Sequence, residues 1–196
     1  MACTGGNFIG FIDGILRRNC RPGGDPAVQE QVYDGHHCAH GLAWQSVVFP
    51  HGMMEIWGPE VGRRHDALLL ARSGFNGRLA NLQAGNPAQY KVFGDAAYPI
   101  ISHVDRGFRG ANLTYAQRTY NRQLSKIRVS VEWQFGKVVQ MFPFVDSSNN
   151  LKLRLQPIAK YYAIAVLLTN AHNCLFGSTT GFYFGMKAPS LETYFA

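Results

Sequence analysis

The stretch GNFIGFIDGI, residues 6–15, decides the fold because it is a short apolar run that ends in Asp-Gly. Such a run is typical of a buried strand that ends at the edge of a sheet, so we expect Asp13 at a strand terminus. Two further β-rich runs, GLAWQSVVF at 41–49 and MMEIWG at 53–58, are separated by a Pro-His-Gly hairpin signal. The sequence therefore predicts that the first three strands form an antiparallel sheet.

The segment between the first two strands is LRRNCRPGGDPAVQEQVYDGHH, residues 16–37. It is rich in Gly, Pro and charge, which predicts a loop. This loop carries Arg17, Arg18 and Arg21, so we expect it to be basic and able to contact phosphate.

A second acid occupies the same kind of position as Asp13. The stretch YKVFGDAAYP, residues 90–99, reads as a strand that runs into a turn, which places Asp95 at a strand end. The helix HDALLLARSGF precedes this strand. A last, largely apolar helix begins with Pro157 near its first turn and is expected to cover a face of the sheet.

A long helix is predicted from Thr114 to about Met141, because no Pro interrupts this segment. Cations recur along one stripe of it at a spacing of four residues, where they face water or phosphate: Arg118, Arg122 and Lys126. Glu132 is expected beside Val129 and Phe135, on the face that packs against the sheet. An acid is costly on such a face unless it is paired.

The composition indicates one domain with a polyanionic partner. The chain has 196 residues, 46% of them hydrophobic and 16% charged, which is enough for a sizeable core. A net charge of +7 makes nucleic acid the favoured partner. The four cysteines lack CxxC spacing and are expected to be reduced thiols of an intracellular protein. No secretory signal and no apolar run long enough to span a bilayer is visible, so we expect no membrane association.

Asp13, Asp95 and Glu132 can converge, because neighbouring strands end side by side and a helix packed on the sheet projects toward them. Three carboxylates in one place need a cation, and Mg²⁺ and Mn²⁺ prefer oxygen ligands. The alternative is salt bridging to arginine, for which Arg128, four residues before Glu132, is the nearest candidate. The spacing alone leaves both interpretations open.

Four blocks, in order, resemble the transposase-derived nucleases of the PIF/Harbinger type, which belong to the DDE superfamily. GFIDGILRRNCRP resembles the family's GFIDGT and CRP block, and GPEVGRRHDALLL resembles its GRRHD block. FGDAAYP resembles the GD and YP block, and VSVEWQFG resembles the block in which Glu precedes Phe-Gly. One departure is Ile15, which stands where the family usually has Thr; the lost hydroxyl affects hydrogen bonding near the acids without removing a ligand.

This resemblance implies a ribonuclease H-like α/β fold, a mixed sheet flanked by helices, and nuclear localisation. It places Asp13, Asp95 and Glu132 on the three catalytic acids, which bind two Mg²⁺ or Mn²⁺ ions for phosphodiester hydrolysis and strand transfer. Asp13 is then expected to bridge both ions, with Asp95 and Glu132 each completing one coordination sphere.

Two further groups of residues are weighed against simpler roles. Asp66 begins a helix and is interpreted first as an N-terminal cap, with an auxiliary role near the metals for Asp66 or His65 as the alternative. The cluster GHHCAHG, residues 35–41, resembles a zinc site in composition. Its ligands are too closely spaced for a structural zinc, and a strand would turn alternate side chains to opposite faces, so we expect no zinc there.

Residues 1–196 are expected to form a single catalytic domain. Family members usually carry a helical DNA-binding region ahead of the first catalytic strand, and only twelve residues precede Asp13. Sequence specificity is therefore expected from a separate DNA-binding protein. The alternative function is a domesticated or truncated remnant that binds nucleic acid or protein without cleaving it.

Overall fold

The computed structural model describes residues 8–63, 66–85, 90–96, 98–146 and 150–196. These residues form an α/β structure in which a mixed sheet is flanked by helices. The strands, in chain order, are β1 (Phe8–Arg18), β2 (Tyr33–Asp34), β3 (Ala39–Val48), β4 (Met54–Val61), β5 (Lys91–Gly94) and β6 (Val104–Arg106).

Helices cover both faces of the sheet. They are α1 (Pro26–Val32), α2 (Asp66–Arg72), α3 (Phe75–Gln83), α4 (Tyr115–Met141), α5 (Ile158–Phe176), α6 (Thr179–Phe184) and α7 (Leu191–Phe195). A 3₁₀ turn, Pro143–Asp146, follows α4. No helix in these ranges is long and apolar enough to cross a membrane.

The sheet begins with antiparallel strands and continues with parallel ones. β3 pairs antiparallel with both β1 and β4, as the hairpin signal predicts. β5 then pairs parallel with β1, and β6 parallel with β5. The short β2 pairs with the first two residues of β3. β1 is therefore the strand at which the antiparallel and parallel parts of the sheet meet.

Alternate residues of β1 pack into two separate cores, because successive side chains of a strand point to opposite faces. Phe11 packs with Val131 and Phe135 of α4 on one face. Ile12 packs with Leu70 of α2, beside α3, on the other face. From Phe11 onward, odd-numbered residues of β1, Asp13 among them, thus face α4 and α5.

The long helix α4 agrees closely with its predicted bounds. Thr114 caps its first turn: the Thr114 hydroxyl accepts from the Gln117 N–H, and the Gln117 side chain accepts from the Thr114 N–H. The helix α5 begins just after Pro157, close to its predicted start, but it is not the last helix, because α6 and α7 follow it. The helices α4 and α5 form the layer above Asp13.

The predicted loop at residues 16–37 is wrong in part. β1 continues to Arg18, because Leu16, Arg17 and Arg18 stay paired with β3. Asp25 then caps α1, which has Pro26 at its first position. The Gly and Pro residues that indicated a loop account only for the short connection between β1 and α1.

Candidate active site

Asp13 lies in the middle of β1, so its predicted position at a strand terminus is wrong. The neighbouring strand β5 is the one that ends, at Gly94, and Asp95 follows it directly as predicted. Phe11 and Phe93 are paired in the parallel register. Asp13 and Asp95 each follow that pair by two residues, so the register brings both residues to the same end of β5. Together they flank the carboxyl end of β5, a place where α/β sheets commonly bind ligands.

Asp66 approaches Asp13 from the start of α2. The space beside Gly14 admits it: a Cβ on Gly14 would collide with the Asp66 carboxylate. The glycine that follows Asp13 therefore lets a third acid lie against the β1 backbone. Asp66 is the first residue of α2, where a negative charge is favourable, so the predicted role at the helix start and proximity to Asp13 are compatible.

Asp13 has a raised pKa, with one dominant cause and several smaller ones. Burial raises the pKa of Asp13 from 3.8 to about 6. Arg128 and the Gly14 N–H, which donates to Asp13 Oδ1 at 3.0 Å, both lower the pKa. The negative charges of Asp95 and Asp66 raise it again. The site is a half-buried carboxyl with two further acids close enough to repel it.

Two polar residues beneath the acids were not singled out from the sequence. The Tyr98 side chain is fully buried, and its pKa lies well above the usual range because of burial and the charges of the three aspartates. Gln45 Nε2 donates to the Tyr98 hydroxyl at 2.9 Å and to the Asp66 carbonyl at 3.0 Å. Gln45 and Tyr98 thus hold the start of α2 against the sheet.

Arg128 of α4 is the cation of the site. Its Nη1 lies 2.7 Å from Asp13 Oδ2, and its Nη2 lies 3.8 Å from Glu132 Oε1. The side chains of Arg128 and Asp13 are 27% and 20% exposed, whereas that of Glu132 is 58% exposed. The alternative prediction, in which Glu132 pairs with Arg128, is present in the structure. The closer contact of Arg128, however, is to Asp13.

The predicted position of Glu132 on the packing face of α4 is wrong. Val129, one turn earlier, is exposed as well. Val131, Gln134 and Val138 are buried and define the face that packs on the sheet. Glu132 follows Val131 by one residue, which turns it about 100° away from that face.

The donor chemistry of Asp13, Asp95 and Asp66 fits a hard divalent cation, because all three offer carboxylate oxygens in a half-buried place. Within the described ranges, however, no group of three or more His, Cys, Asp or Glu side chains is already arranged around a common point for an ion. Arg128 occupies Asp13 Oδ2 instead.

The remaining predicted residues divide into several cases. His65 and Arg64 lie outside the described residues. Arg17 is buried, so it does not belong to an exposed basic loop. Arg18 and Arg21 are exposed, and so is the whole stripe on α4.

The His and Cys cluster before β3 has local partners. His37 Nδ1 lies 2.9 Å from Asp34 Oδ2, and Cys38 Sγ donates to the Gly35 carbonyl. Cys20, Cys38 and Cys174 are free thiols, whereas Cys3 is outside the described ranges. In the part of the chain that the structure describes, the side chains of this cluster are not arranged to hold a metal ion.

A cavity of about 450 Å³ lies elsewhere, between the end of α5 and α6. Asn173, Phe182 and Met186 are among its lining residues, and none of the acids of the site lines it. A polymer substrate needs an open surface rather than an enclosed cavity, so the electrostatics of the acids identify the candidate site better than the cavity does.

Comparison with known proteins identifies the family. Residues 12–170 match the DDE superfamily endonuclease family, which is more than half of the 196-residue chain and includes all the acids of the site. Neither the curated proteins nor the solved structures give a significant match. The four sequence blocks, the cluster of acids and this match agree, and the chain belongs to the DDE superfamily endonuclease family.

Proposed function

We propose that this chain is the catalytic domain of a divalent-metal-dependent DNA endonuclease of the transposase type, of the PIF/Harbinger subtype. The observation that carries the proposal is the placement of three acids: Asp13 on β1 beside the end of β5, Asp95 directly after β5, and Asp66 against the β1 backbone at Gly14. A half-buried carboxyl whose pKa is raised, with further acids near it at the end of a strand, is typical of a functional site.

The ribonuclease H-like fold is part of this proposal. Its support is the sheet, in which three antiparallel strands, β1, β3 and β4, are followed by β5 and β6 parallel to β1. The extra strand β2 contributes two residues and leaves this order intact. In such a sheet the acids of β1 and β5 are brought together by the register of two strands alone.

Each acid has a separate role in the proposed site. Asp13 would hold both ions, and Asp95, which follows the neighbouring strand, would hold one of them. Glu132 is the proposed third ligand on α4, and Asp66 is an auxiliary acid. Mg²⁺ or Mn²⁺, when bound, supplies the Lewis acidity that activates water and stabilises the leaving oxygen. We propose the same acids for strand transfer.

DNA is the proposed partner, and α4 offers a surface for it. Arg118, Arg122 and Lys126 are exposed along α4 on the way to Glu132. Fourteen residues of helix separate Arg118 from Glu132, a span of about 21 Å. Cations spread over that distance bind backbone phosphates without reading sequence, so specificity is expected from another DNA-binding protein in the nucleus.

The second candidate function is a remnant that binds nucleic acid or protein without cleaving it. One observation favours it: Glu132 is exposed and Arg128 takes the oxygen of Asp13 that an ion would use. This candidate retains DNA binding through α4 and predicts no metal-dependent chemistry.

Cleavage of supercoiled plasmid DNA with Mn²⁺ separates the two candidates. The wild-type chain should nick DNA only with the metal, and Asp13→Asn and Asp95→Asn should abolish nicking while DNA affinity stays unchanged. Asp105→Asn is the matched control, because Asp105 is an acid of the same sheet that pairs with Lys91. Nicking that survives in Asp13→Asn, or is absent from a wild-type chain that binds DNA, would favour the non-cleaving remnant.

A further inference from the structure

Arg128 joins two acids that come from different elements. Asp13 belongs to β1 and Glu132 to α4, and the guanidinium lies between them, at 2.7 Å from the first and 3.8 Å from the second. A guanidinium keeps its positive charge at any pH that a protein survives. Arg128 is therefore a permanent cation beside the Asp13 carboxylate.

A guanidinium and a divalent ion cannot both approach one carboxylate oxygen from the same direction. Arg128 Nη1 donates a hydrogen bond to Asp13 Oδ2 and occupies the space in front of that oxygen. Mg²⁺ requires its oxygen ligands at about 2.0–2.1 Å, within that same space. An ion that binds Asp13 Oδ2 from this direction therefore displaces Arg128 from that oxygen.

We propose that Arg128 is an exchangeable internal cation, which neutralises Asp13 in the metal-free protein and withdraws from it when a divalent ion binds. This inference rests on the proposed function, since it concerns the same acids. It makes Arg128 a positioning residue: it keeps Asp13 and Glu132 directed toward one cation before the metal arrives.

The surroundings of Arg128 allow it to withdraw. Its side chain is 27% exposed, so the released guanidinium reaches water without crossing a core. Its contact to Glu132, one turn later on the same helix, is 3.8 Å long and holds it only weakly. No backbone movement of β1 or α4 is needed, because rotation of the long arginine side chain is enough.

The exchange would release both acids that Arg128 contacts. Glu132 is exposed, and it is linked to Asp13 only through Arg128 in the contacts of the described residues. When Arg128 leaves, Asp13 and Glu132 both lose their shared cation. Both carboxylates can then bind the divalent ion that replaces Arg128.

Calorimetric titration with Mn²⁺ alone measures this competition. Arg128→Met should bind Mn²⁺ roughly tenfold more tightly than the wild-type chain, because a competing charge a few ångströms from the ion is removed. Arg128→Lys, which keeps the charge, should return the affinity toward the wild-type value. Arg78→Met is the matched control: Arg78 also lies 2.7 Å from an acid, Glu55, but outside the site. It should bind Mn²⁺ as the wild type does.

A second measurement uses only the wild-type chain, so it does not depend on whether a variant folds. Arginine side-chain N–H signals in NMR exchange slowly with water while the guanidinium is paired and faster after release. On titration with Mg²⁺ the Arg128 signal should shift and exchange faster, whereas the signal of the buried Arg17 should stay unchanged.

The outcomes separate this inference from the proposed function. If neither the wild-type chain nor Arg128→Met binds Mn²⁺, the proposed function fails and the exchange fails with it. If the wild-type chain binds Mn²⁺ through Asp13 but Arg128→Met gives the same affinity, or the Arg128 signal ignores Mg²⁺, the metal site stands and the exchange alone is overturned.

Discussion

Two arginine–aspartate pairs connect β1 to the helical layer above it, and they differ in which partner is buried. In the first, the Arg17 side chain is 8% exposed and Asp146 is 50% exposed. In the second, Arg128 is 27% exposed and Asp13 is 20% exposed. Both β1 residues lie on the same face of the strand, four residues apart.

The groups that surround the two pairs also differ. Arg17 stacks on the Tyr162 ring, with its Cζ 4.6 Å from the centroid, and donates to the Tyr162 hydroxyl at 3.3 Å. Arg17 is therefore fixed by several groups, and its acid is one of them. Asp13 lies near two other acids, and among the described residues its paired cation is Arg128. The first pair holds the fold together, and the second is built so that another cation can replace its arginine.

Arg17→Met should give the largest loss of stability. It removes the cation–π contact and leaves the buried Tyr162 hydroxyl without its donor, which we expect to cost about 2 to 4 kcal/mol. Urea unfolding measures this loss. The affinity for Mn²⁺ should not change. A loss of less than about 1 kcal/mol would mean that Arg17 is no more fixed than Arg128.

Asp13 should make the stability of the metal-free protein depend on pH. Its pKa of about 6 in the folded state exceeds the unfolded value of 3.8, so the native state binds the proton more tightly. Stability therefore falls as pH rises between these values, by at most about 3 kcal/mol. Asp13→Asn should remove this dependence and should be more stable than the wild type at pH 7. Parallel stability curves for the two chains, measured in EDTA, would contradict the raised pKa.

Gly14→Ala tests the position of Asp66 without changing any charge. The new methyl group must displace the Asp66 carboxylate, which we expect to cost about 1 kcal/mol. Binding of Mn²⁺ should weaken several-fold if Asp66 contributes to the site, and Asp66→Asn should weaken it likewise. If both variants bind Mn²⁺ as the wild type does, Asp66 serves only the start of α2. Gly77→Ala, on an open surface of α3, is the control.

Glu132→Gln should have the smallest effect on stability. Because Glu132 is exposed and 3.8 Å from Arg128, its removal should change the free energy of unfolding by less than about 1 kcal/mol. Cleavage should nevertheless be abolished if Glu132 is a metal ligand. A large loss of stability would show that the contact to Arg128 matters more than its exposure indicates.

The sequence predicted the parts of the fold that depend on local patterns. The apolar runs gave the antiparallel strands β1, β3 and β4, and the uninterrupted helical segment gave α4. It misplaced Asp13 because the end of β5, rather than the end of β1, creates the opening beside it. Which of two paired strands ends first depends on partners distant in the chain, and no local signal carries that information.

The residues of the candidate site were likewise predictable where they depend on their own stretch of sequence, and not where they depend on distant partners. Asp95 could be placed at a strand end from its own segment, and Gly14 and Tyr98 lie within the blocks that carry the family resemblance. The contact between Arg128 and Asp13 joins residues 115 positions apart, so spacing offered only the neighbouring Glu132 as the partner of Arg128. The buried Gln45 carries no sign of its role in the sequence of β3, because that role depends on Tyr98 packing beneath the acids.

Calorimetric titration of the metal-free chain with Mn²⁺ tests most directly whether Asp13 belongs to a cation site. The wild-type chain and Asp146→Asn, the acid of the structural pair, should bind Mn²⁺ with the same affinity, and Asp13→Asn should show no binding at the same protein concentration. Equal binding by Asp13→Asn and the wild-type chain, or weakened binding by Asp146→Asn alone, would contradict the assignment of the metal site to Asp13.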